Sequence, residues 1–95
     1  MKLGKQYRLV DNRFWCWGNI LLEHCGNDES VYVPEGIKKI GDMAFRRALA
    51  TKTIYLSSSV SKVGVGAFAN CPSLEFVSGD NVKEIYEYAF WGVKS

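Results

Sequence analysis

The residues of this chain best suited to chemistry are its one histidine, His24, and its three cysteines, Cys16, Cys25 and Cys71. A catalytic thiol needs a base within hydrogen-bond reach. Adjacent residues of a strand point to opposite faces, so His24 and Cys25 are not expected to form such a pair. No CxxC or HxxxH spacing of the kind found in zinc sites is present. We expect His24 to be a polar residue at the end of a strand.

The other motifs are equally poor in catalytic potential. Three widely spaced cysteines are not a disulfide framework, and we expect reduced thiols that pack as small apolar side chains. No P-loop or GxGxxG motif occurs, and Gly64 and Gly66 are interpreted as turn residues of a repeat. Glu84 and Glu87 are interpreted as solvated surface. The sequence therefore predicts a protein that is not an enzyme and has no cofactor or metal.

Charge and hydropathy narrow the choice of partner and location. The formal net charge of +2 requires neither nucleic acid nor a membrane as partner. No apolar run approaches the roughly 18 residues of a membrane span. The first lysines are not followed by the apolar stretch of a signal peptide. As the chain stands we expect a cytoplasmic protein, and a cell-surface location if it is a fragment of a longer secreted protein.

A repeat in the sequence predicts the secondary-structure elements that position these residues. The stretches IGDMAFRRA, VGVGAFANC and IYEYAFWGV begin at residues 40, 63 and 85. Their phenylalanines, Phe45, Phe68 and Phe90, lie 23 and 22 residues apart, and each follows an alanine. Branched apolar residues stand five and eight positions before each phenylalanine: Ile40, Val63, Ile85, Ile37, Val60 and Val82. A period in the low twenties predicts a solenoid, in which one repeat forms one coil.

The local pattern predicts the elements of each coil. Alternation in SVYVPEG indicates a half-buried strand with Val31 and Val33 facing inward and Tyr32 facing outward. Asp42 is placed to be the N-cap of a short helical turn. Phe45 is expected to fill the space between coils, because a single coil cannot bury its own apolar face.

The stretches SVYVPEGIKKIGDMAF and TIYLSSSVSKVGVGAFANCPSLEFV resemble the BspA-type leucine-rich repeat, with the unit V-x-I-P-x-x-V-x-x-I-G-x-x-A-F-x-x-C-x-x-L. The second copy matches best, including Cys71 and Leu74. The first copy has Ala48 and Thr51 at these two positions, and the third has Tyr86 where the family has glycine. The resemblance implies a mostly β, leucine-rich-repeat-like solenoid of about three 22–23-residue coils with short helical turns. It also implies protein binding, commonly at bacterial or protist surfaces.

An N-terminal β-meander is expected to cap the first coil. Two-residue turns at 11–12 and 18–19 predict strands over about 6–10, 13–17 and 20–24. If Trp17 pairs with Ile20, Trp15 pairs with Leu22, and these four side chains share one apolar face. Phe14, Cys16 and Leu21 share the other, so either face could pack on the coil. We predict a single domain, 1–95, with the cap over 1–27 and the repeats over 28–95.

Stacked coils align equivalent outward side chains into columns. Tyr32 and Tyr55 form an aromatic column. Two further columns hold Lys38, Ser61 and Lys83, and Lys39, Lys62 and Glu84. Exposed tyrosine and arginine are typical of interface hot spots; alternatively, the lysines only keep sheet edges soluble and the tyrosines only pack across strands. The candidate partner-binding residues are Tyr32, Tyr55, Lys38, Lys39, Lys62, Lys83, Arg46, Arg47 and Trp91.

The favoured function is a non-catalytic protein–protein interaction module. The alternative is a small cytoplasmic inhibitor or adaptor, of phage or mobile-element origin, that blocks a protein or nucleoprotein target. Nucleic-acid binding is disfavoured because the charge is near neutral and acidic residues are interleaved with the basic ones. The last coil has no polar cap. We therefore expect homodimerisation through the C-terminal coil or the N-terminal hairpin, or coverage by a protein partner.

Overall fold

The computed structural model describes residues 7–46 and 48–93, and these residues form strands without any helix. The strands are β1 (Tyr7–Val10), β2 (Phe14–Trp17), β3 (Ile20–His24), β4 (Ser30–Tyr32), β5 (Lys39–Ile40), β6 (Thr53–Tyr55), β7 (Lys62–Val63), β8 (Phe76–Ser78) and β9 (Glu84–Ile85). One sheet has the order β1-β2-β3-β5-β7-β9 and the other β4-β6-β8. The strands β1 to β3 are antiparallel, and all later pairings are parallel.

Each coil contributes one strand to each sheet, so the predicted solenoid is confirmed. Val31 pairs with Ile54, and Ile54 with Val77, each 23 residues further along the chain. In the other sheet Lys62 pairs with Glu84, an offset of 22. The shortened last repeat therefore loses its residue between its two strands, as the sequence indicates.

The core is built from the side chains that the repeat predicts. Val31 and Val33 are buried and Tyr32 is 67% exposed. Phe45 and Phe68 are completely buried, and neighbouring rings in the series Phe45–Phe68–Phe90 lie 5.2 Å apart between centroids. Dispersion and burial between coils thus replace the core that one coil lacks.

Close approach between the cap and the first coil, and between the first and second coils, depends on glycine. A Cβ atom at Gly41 would lie 2.6 Å from the carbonyl oxygen of Leu21, and one at Gly64 would lie 2.8 Å from that of Ile40. No side chain fits at such distances, so these positions need the smallest residue. Tyr86 occupies the corresponding place in the last coil, where its N–H donates to the Val63 carbonyl at 2.9 Å.

Where short helical turns were expected, the described residues form turns and no helix. After β5, β7 and β9 the chain makes tight turns closed by bonds such as Ala44 N–H to Gly41 O, at 3.2 Å. Asp42 is not an N-cap: its Oδ1 accepts a hydrogen bond from the Val65 N–H of the next coil at 2.9 Å. The carboxylate therefore joins two coils instead of starting a helix.

The predicted meander is confirmed, with β1 described from Tyr7 because residue 6 lies outside the described residues. Its first turn has three residues, since Val10 pairs with Phe14, whereas a two-residue turn was expected. Phe14, Cys16 and Leu21 are buried, so their face packs on the first coil. The other face of the meander is turned to solvent.

The predicted pairing of Trp15 is wrong, because β3 contains a β-bulge. Trp17 pairs with Ile20 as expected, but Trp15 pairs with Glu23, because the register shifts between Trp15 and Cys16. Leu22 is then the extra residue of β3. From that point the alternation is inverted, and His24 faces inward opposite Phe14.

His24 lies at the end of a strand, as predicted, but it is also a core residue with 1% exposure. Its ring stacks on Phe45 at 5.2 Å and 20°, so it begins the series of phenylalanine rings. Neither ring nitrogen has a hydrogen-bond partner among the described residues. Its Nε2 lies 4.0 Å from Asp28 Oδ2. Burial lowers the pKa of His24, while the charge of Asp28 opposes this shift.

The cysteines are free, and Cys16 and Cys71 are buried among apolar side chains as expected. Burial raises the pKa of the Cys71 thiol to about 11. At the corresponding core positions of the first coil, Ala48 and Thr51 are also buried. The Thr51 hydroxyl donates to the Asp28 carbonyl at 2.8 Å, which connects the first coil to the segment after the cap.

Replacement of Phe68 by alanine tests the stacking of the coils. Phe68→Ala should lower the free energy of unfolding by about 3–5 kcal/mol, the range for truncating a buried phenylalanine. Urea denaturation followed by tryptophan fluorescence measures it. Phe76→Ala is the matched control, because Phe76 is 51% exposed; equal losses in the two variants would contradict the assignment of the core.

Acid should destabilise the fold through His24. Its pKa is lowered in the folded state, so the unfolded chain binds a proton more readily below about pH 6.5. The free energy of unfolding should therefore be constant above that pH and fall as the pH drops, by at most about 1.4 kcal/mol per pH unit. Thermal melts from pH 7.5 to 4.5 measure this slope.

The control for the acid effect is His24→Phe, which extends the ring series without a titratable group. The chain has no other histidine, so the slope between pH 6.5 and 4.5 should be lost. The lowered pKa of Asp28, caused by its hydrogen bond from Arg13, acts in a more acidic range. A slope that His24→Phe leaves unchanged would show that another group is responsible.

Candidate protein-binding surfaces

The aromatic column lies on the outer face of the three-stranded sheet. Tyr32 and Tyr55 are paired in register, and their rings stack at 4.7 Å and 12°. Phe76 extends the column, with its ring centroid 6.2 Å from that of Tyr55 and an angle of 62° between the two ring planes. The sequence did not indicate Phe76, because the repeat places it opposite Thr53 and only its side-chain direction brings it to Tyr55.

The two lysine columns lie on the six-stranded sheet, with the predicted register. Lys39, Lys62 and Glu84 are successive partners in β5, β7 and β9. Lys62 Nζ lies 3.6 Å from Glu84 Oε2, and Lys39 Nζ lies 5.3 Å from the centre of the Tyr86 ring. The tyrosine that replaces the family's glycine therefore faces a cation. These basic side chains are largely compensated.

The second column runs along the start of the same strands. The Ser61 N–H donates to the Lys38 carbonyl at 2.9 Å, and the Lys83 N–H donates to the Ser61 carbonyl at 2.8 Å. The side chains of Lys38 and Lys83 are exposed and have no ion pair within residues 7–46 and 48–93.

The remaining candidates lie on the turns. Arg46 Nη2 is 3.6 Å from Glu23 Oε1, and this ion pair joins the first coil to the cap. Arg47 lies outside the described residues. Trp91 is 62% exposed in the last coil. The predicted residues thus occupy the two sheets and the turns separately, and the structure does not bring them together into one site.

The solvent-facing side of the meander, which we call the cap outer face, is apolar. Its exposed side chains are Tyr7, Leu9, Trp17 and Leu22, and Trp15 is half-buried against Tyr7, with ring centroids 5.1 Å apart. The pairing of Ile20 with Lys39 makes this face continuous with the lysine columns. The sequence left open which face of the meander would be exposed, and the structure exposes this one.

The C-terminal end of the solenoid, which we call the end face, is also apolar. The strands β8 and β9 are the last of their sheets within the described residues. Side chains exposed there are Phe76, Ile85, Tyr88, Phe90 and Trp91. Two recesses of about 160 and 110 Å³ lie between the last strands and Phe90. Among the described residues, no strand pairs with the outer edges of β8 and β9, and Trp91 is exposed beside them.

In the part of the chain that the structure describes, no group of three or more His, Cys, Asp or Glu side chains could hold a metal ion. Over the same residues, no helix of a length and hydropathy suited to crossing a bilayer is found.

The comparison with protein-family models gives the same repeat as the residues do. The model described as BspA type leucine rich repeat region (6 copies) matches residues 12–95. The chain belongs to this family. The predicted family resemblance and the leucine-rich-repeat-like fold are therefore confirmed.

A solved structure shows how far the likeness extends. A leucine rich cell surface protein from Faecalibacterium prausnitzii A2-165 matches with a TM-score of 0.64 and 24% sequence identity. The match covers 83% of this chain and 24% of that protein, so this chain spans about a quarter of the length of its structural relative. At this identity the likeness concerns the fold. No curated protein matches the sequence.

Proposed function

We propose that this chain is a non-catalytic protein-binding module and that the aromatic column is its principal binding surface. Leucine-rich repeat families typically bind proteins and are typically not catalytic, and this chain belongs to one. The observation that carries the proposal is the stack of Tyr32 and Tyr55 on an open sheet face, with Tyr32 67% exposed.

The column has the properties of an interface hot spot. Its rings are large and apolar, and the hydroxyl of tyrosine adds a polar contact. Stacking and strand pairing hold the rings in place, so little side-chain entropy remains to be lost on binding. The column contains no charged residue, so a partner would not have to displace an ion pair.

The lysine columns support a protein partner better than nucleic acid. Lys62 already faces Glu84 and Arg46 already faces Glu23. Phosphate binding would require these pairs to be broken, while the net charge of +2 supplies little long-range attraction.

A cell-surface location is part of the proposal, supported by the likeness to a leucine rich cell surface protein.

The double variant Tyr32→Ala and Tyr55→Ala tests the aromatic column. It should reduce the capture of a specific protein from a lysate of the source organism at least tenfold, measured by quantitative mass spectrometry of proteins bound to the immobilised chain. Loss of two large aromatic anchors removes most of the apolar contact area.

The matched control for the column is Lys38→Ala with Lys83→Ala, on the other sheet, which should retain capture. Circular dichroism melts establish that both double variants are folded. Capture that persists in the tyrosine variant would reject the column and favour the cap outer face, which Trp17→Ala then examines.

We further propose that the end face packs against the end face of a second copy. The support is continuity with the packing inside the molecule: Phe90 covers Phe68 at 5.2 Å, whereas Phe90 itself is 42% exposed and no further ring lies over it among the described residues. A two-fold axis in the plane of the end face would pair β8 and β9 with their own copies, and both sheets would continue across the interface.

Self-association is tested by light scattering over a concentration series. The protein should approach twice the monomer mass, and Ile85→Lys, which places a charge in the proposed interface, should shift the midpoint at least tenfold toward higher concentration. Val65→Lys is the matched control, because Val65 is an exposed residue on the turn of an inner coil. A mass that stays monomeric at all concentrations would reject the dimer.

A further inference from the structure

The two sheets end at different levels on the cap side. The six-stranded sheet continues past the first coil through β3, β2 and β1, whereas the three-stranded sheet stops at β4. At a strand spacing of about 4.8 Å, the meander projects roughly 14 Å beyond β4. The three-stranded sheet therefore has an edge at β4 that lies beside the cap and is not covered by a strand within the described residues.

Half of the backbone groups along this edge point away from β6, the strand with which β4 pairs. The Val33 N–H donates to the Tyr55 carbonyl at 2.9 Å, and the Glu29 carbonyl accepts from the Thr53 N–H at 3.0 Å, so both residues face β6. Backbone direction alternates along a strand. The N–H and C=O groups of Ser30 and Tyr32 therefore face the cap side, where no hydrogen bond reaches them from the described residues.

A groove of about 500 Å³ lies along this edge, which we call the β4 groove. Two hydrogen bonds connect the cap to the wall of this groove: Arg13 Nε donates to Asp28 Oδ2 at 2.6 Å, and the Arg13 carbonyl accepts from Cys25 N–H at 2.6 Å. One ring face of Tyr32 packs on Tyr55, and Tyr32 remains 67% exposed. The residues that line the groove are Asp11, Arg13, Phe14, Asp28, Ser30, Val31 and Tyr32.

We propose that the β4 groove binds an extended peptide segment of another protein, which adds to β4 as a further strand. The free backbone groups of Ser30 and Tyr32 specify an extended backbone as the occupant, since only a strand matches their spacing. An aromatic side chain of the peptide lies over Tyr32, as Tyr55 does on the other side at 4.7 Å.

The shape of the cap side excludes a whole coil as the occupant. A coil brings strands to both sheets at the same level, but the six-stranded sheet already continues into the meander there. Only the three-stranded sheet has room, and only for a single strand at each level. The inference goes beyond the aromatic column, because it depends on the backbone of β4 and not on Tyr55.

The probe is the capped pentapeptide acetyl-SVYVS-amide, which has the alternation of β4. Peptide at millimolar concentration should slow amide hydrogen exchange of Ser30 and Tyr32 at least fivefold, measured by NMR on the full chain. A peptide with alanine in place of its tyrosine should bind at least threefold more weakly. Protection confined to Val77 or Ile85, at the end face, or no protection at any edge, would overturn the proposal.

Two N-methylated peptides provide a test that needs no protein variant. Methylation of the tyrosine amide and of the following valine amide affects opposite edges of the added strand, so one peptide should bind and the other should not. Equal binding of the two would overturn strand addition. Ser30→Pro, which removes one N–H on the groove side, should reduce binding at least tenfold, while Tyr55→Ala should retain peptide binding even if it weakens capture by the aromatic column.

Discussion

A coil of 22 or 23 residues has an apolar side that only another coil can cover, and the coils must lie one strand spacing apart to cover it. Gly41 permits this spacing between the cap and the first coil, and Gly64 permits it between the first and second coils, because a side chain at either position would meet the carbonyl oxygen of the preceding layer. The phenylalanine rings then fill the interior at regular 5.2 Å intervals. Strand pairing, ring stacking and hydrogen bonds between coils, such as that from Val65 to Asp42, all require the same translation from one coil to the next along the solenoid axis.

At each end of a solenoid, the terminal coil lacks a neighbouring coil on one side, and this protein treats its two ends differently. At the amino-terminal end the meander closes the six-stranded sheet, and His24 covers the first phenylalanine ring. At the other end Phe90 covers Phe68 but is itself 42% exposed. Exposed apolar side chains and unpaired strand edges are therefore found at the two ends and beside the cap. The middle coil has a neighbouring coil on each side.

The repeat made the inner coils predictable, because alternation and period both follow from burial of the same residues. Tyr32 and Tyr55, the lysine columns and the buried Phe68 all lie where equivalence between coils places them. The cap was less predictable, since both faces of its strands are apolar and one inserted residue, Leu22, inverts the alternation and buries His24. The role of Asp42 was predicted incorrectly, because its carboxylate accepts a hydrogen bond from the neighbouring coil and the local sequence pattern carries no signal for such a contact.

The offset of 23 residues between paired strands also determines how the molecule would respond to a mechanical load. The hydrogen bonds between coils run along the solenoid axis, so a terminal coil that is pulled along that axis is held by one interface, whereas an inner coil is held by two. Coils would peel away in sequence instead of shearing together. Each would release about 80 Å of extended chain, so the length of the chain would increase in steps of similar size.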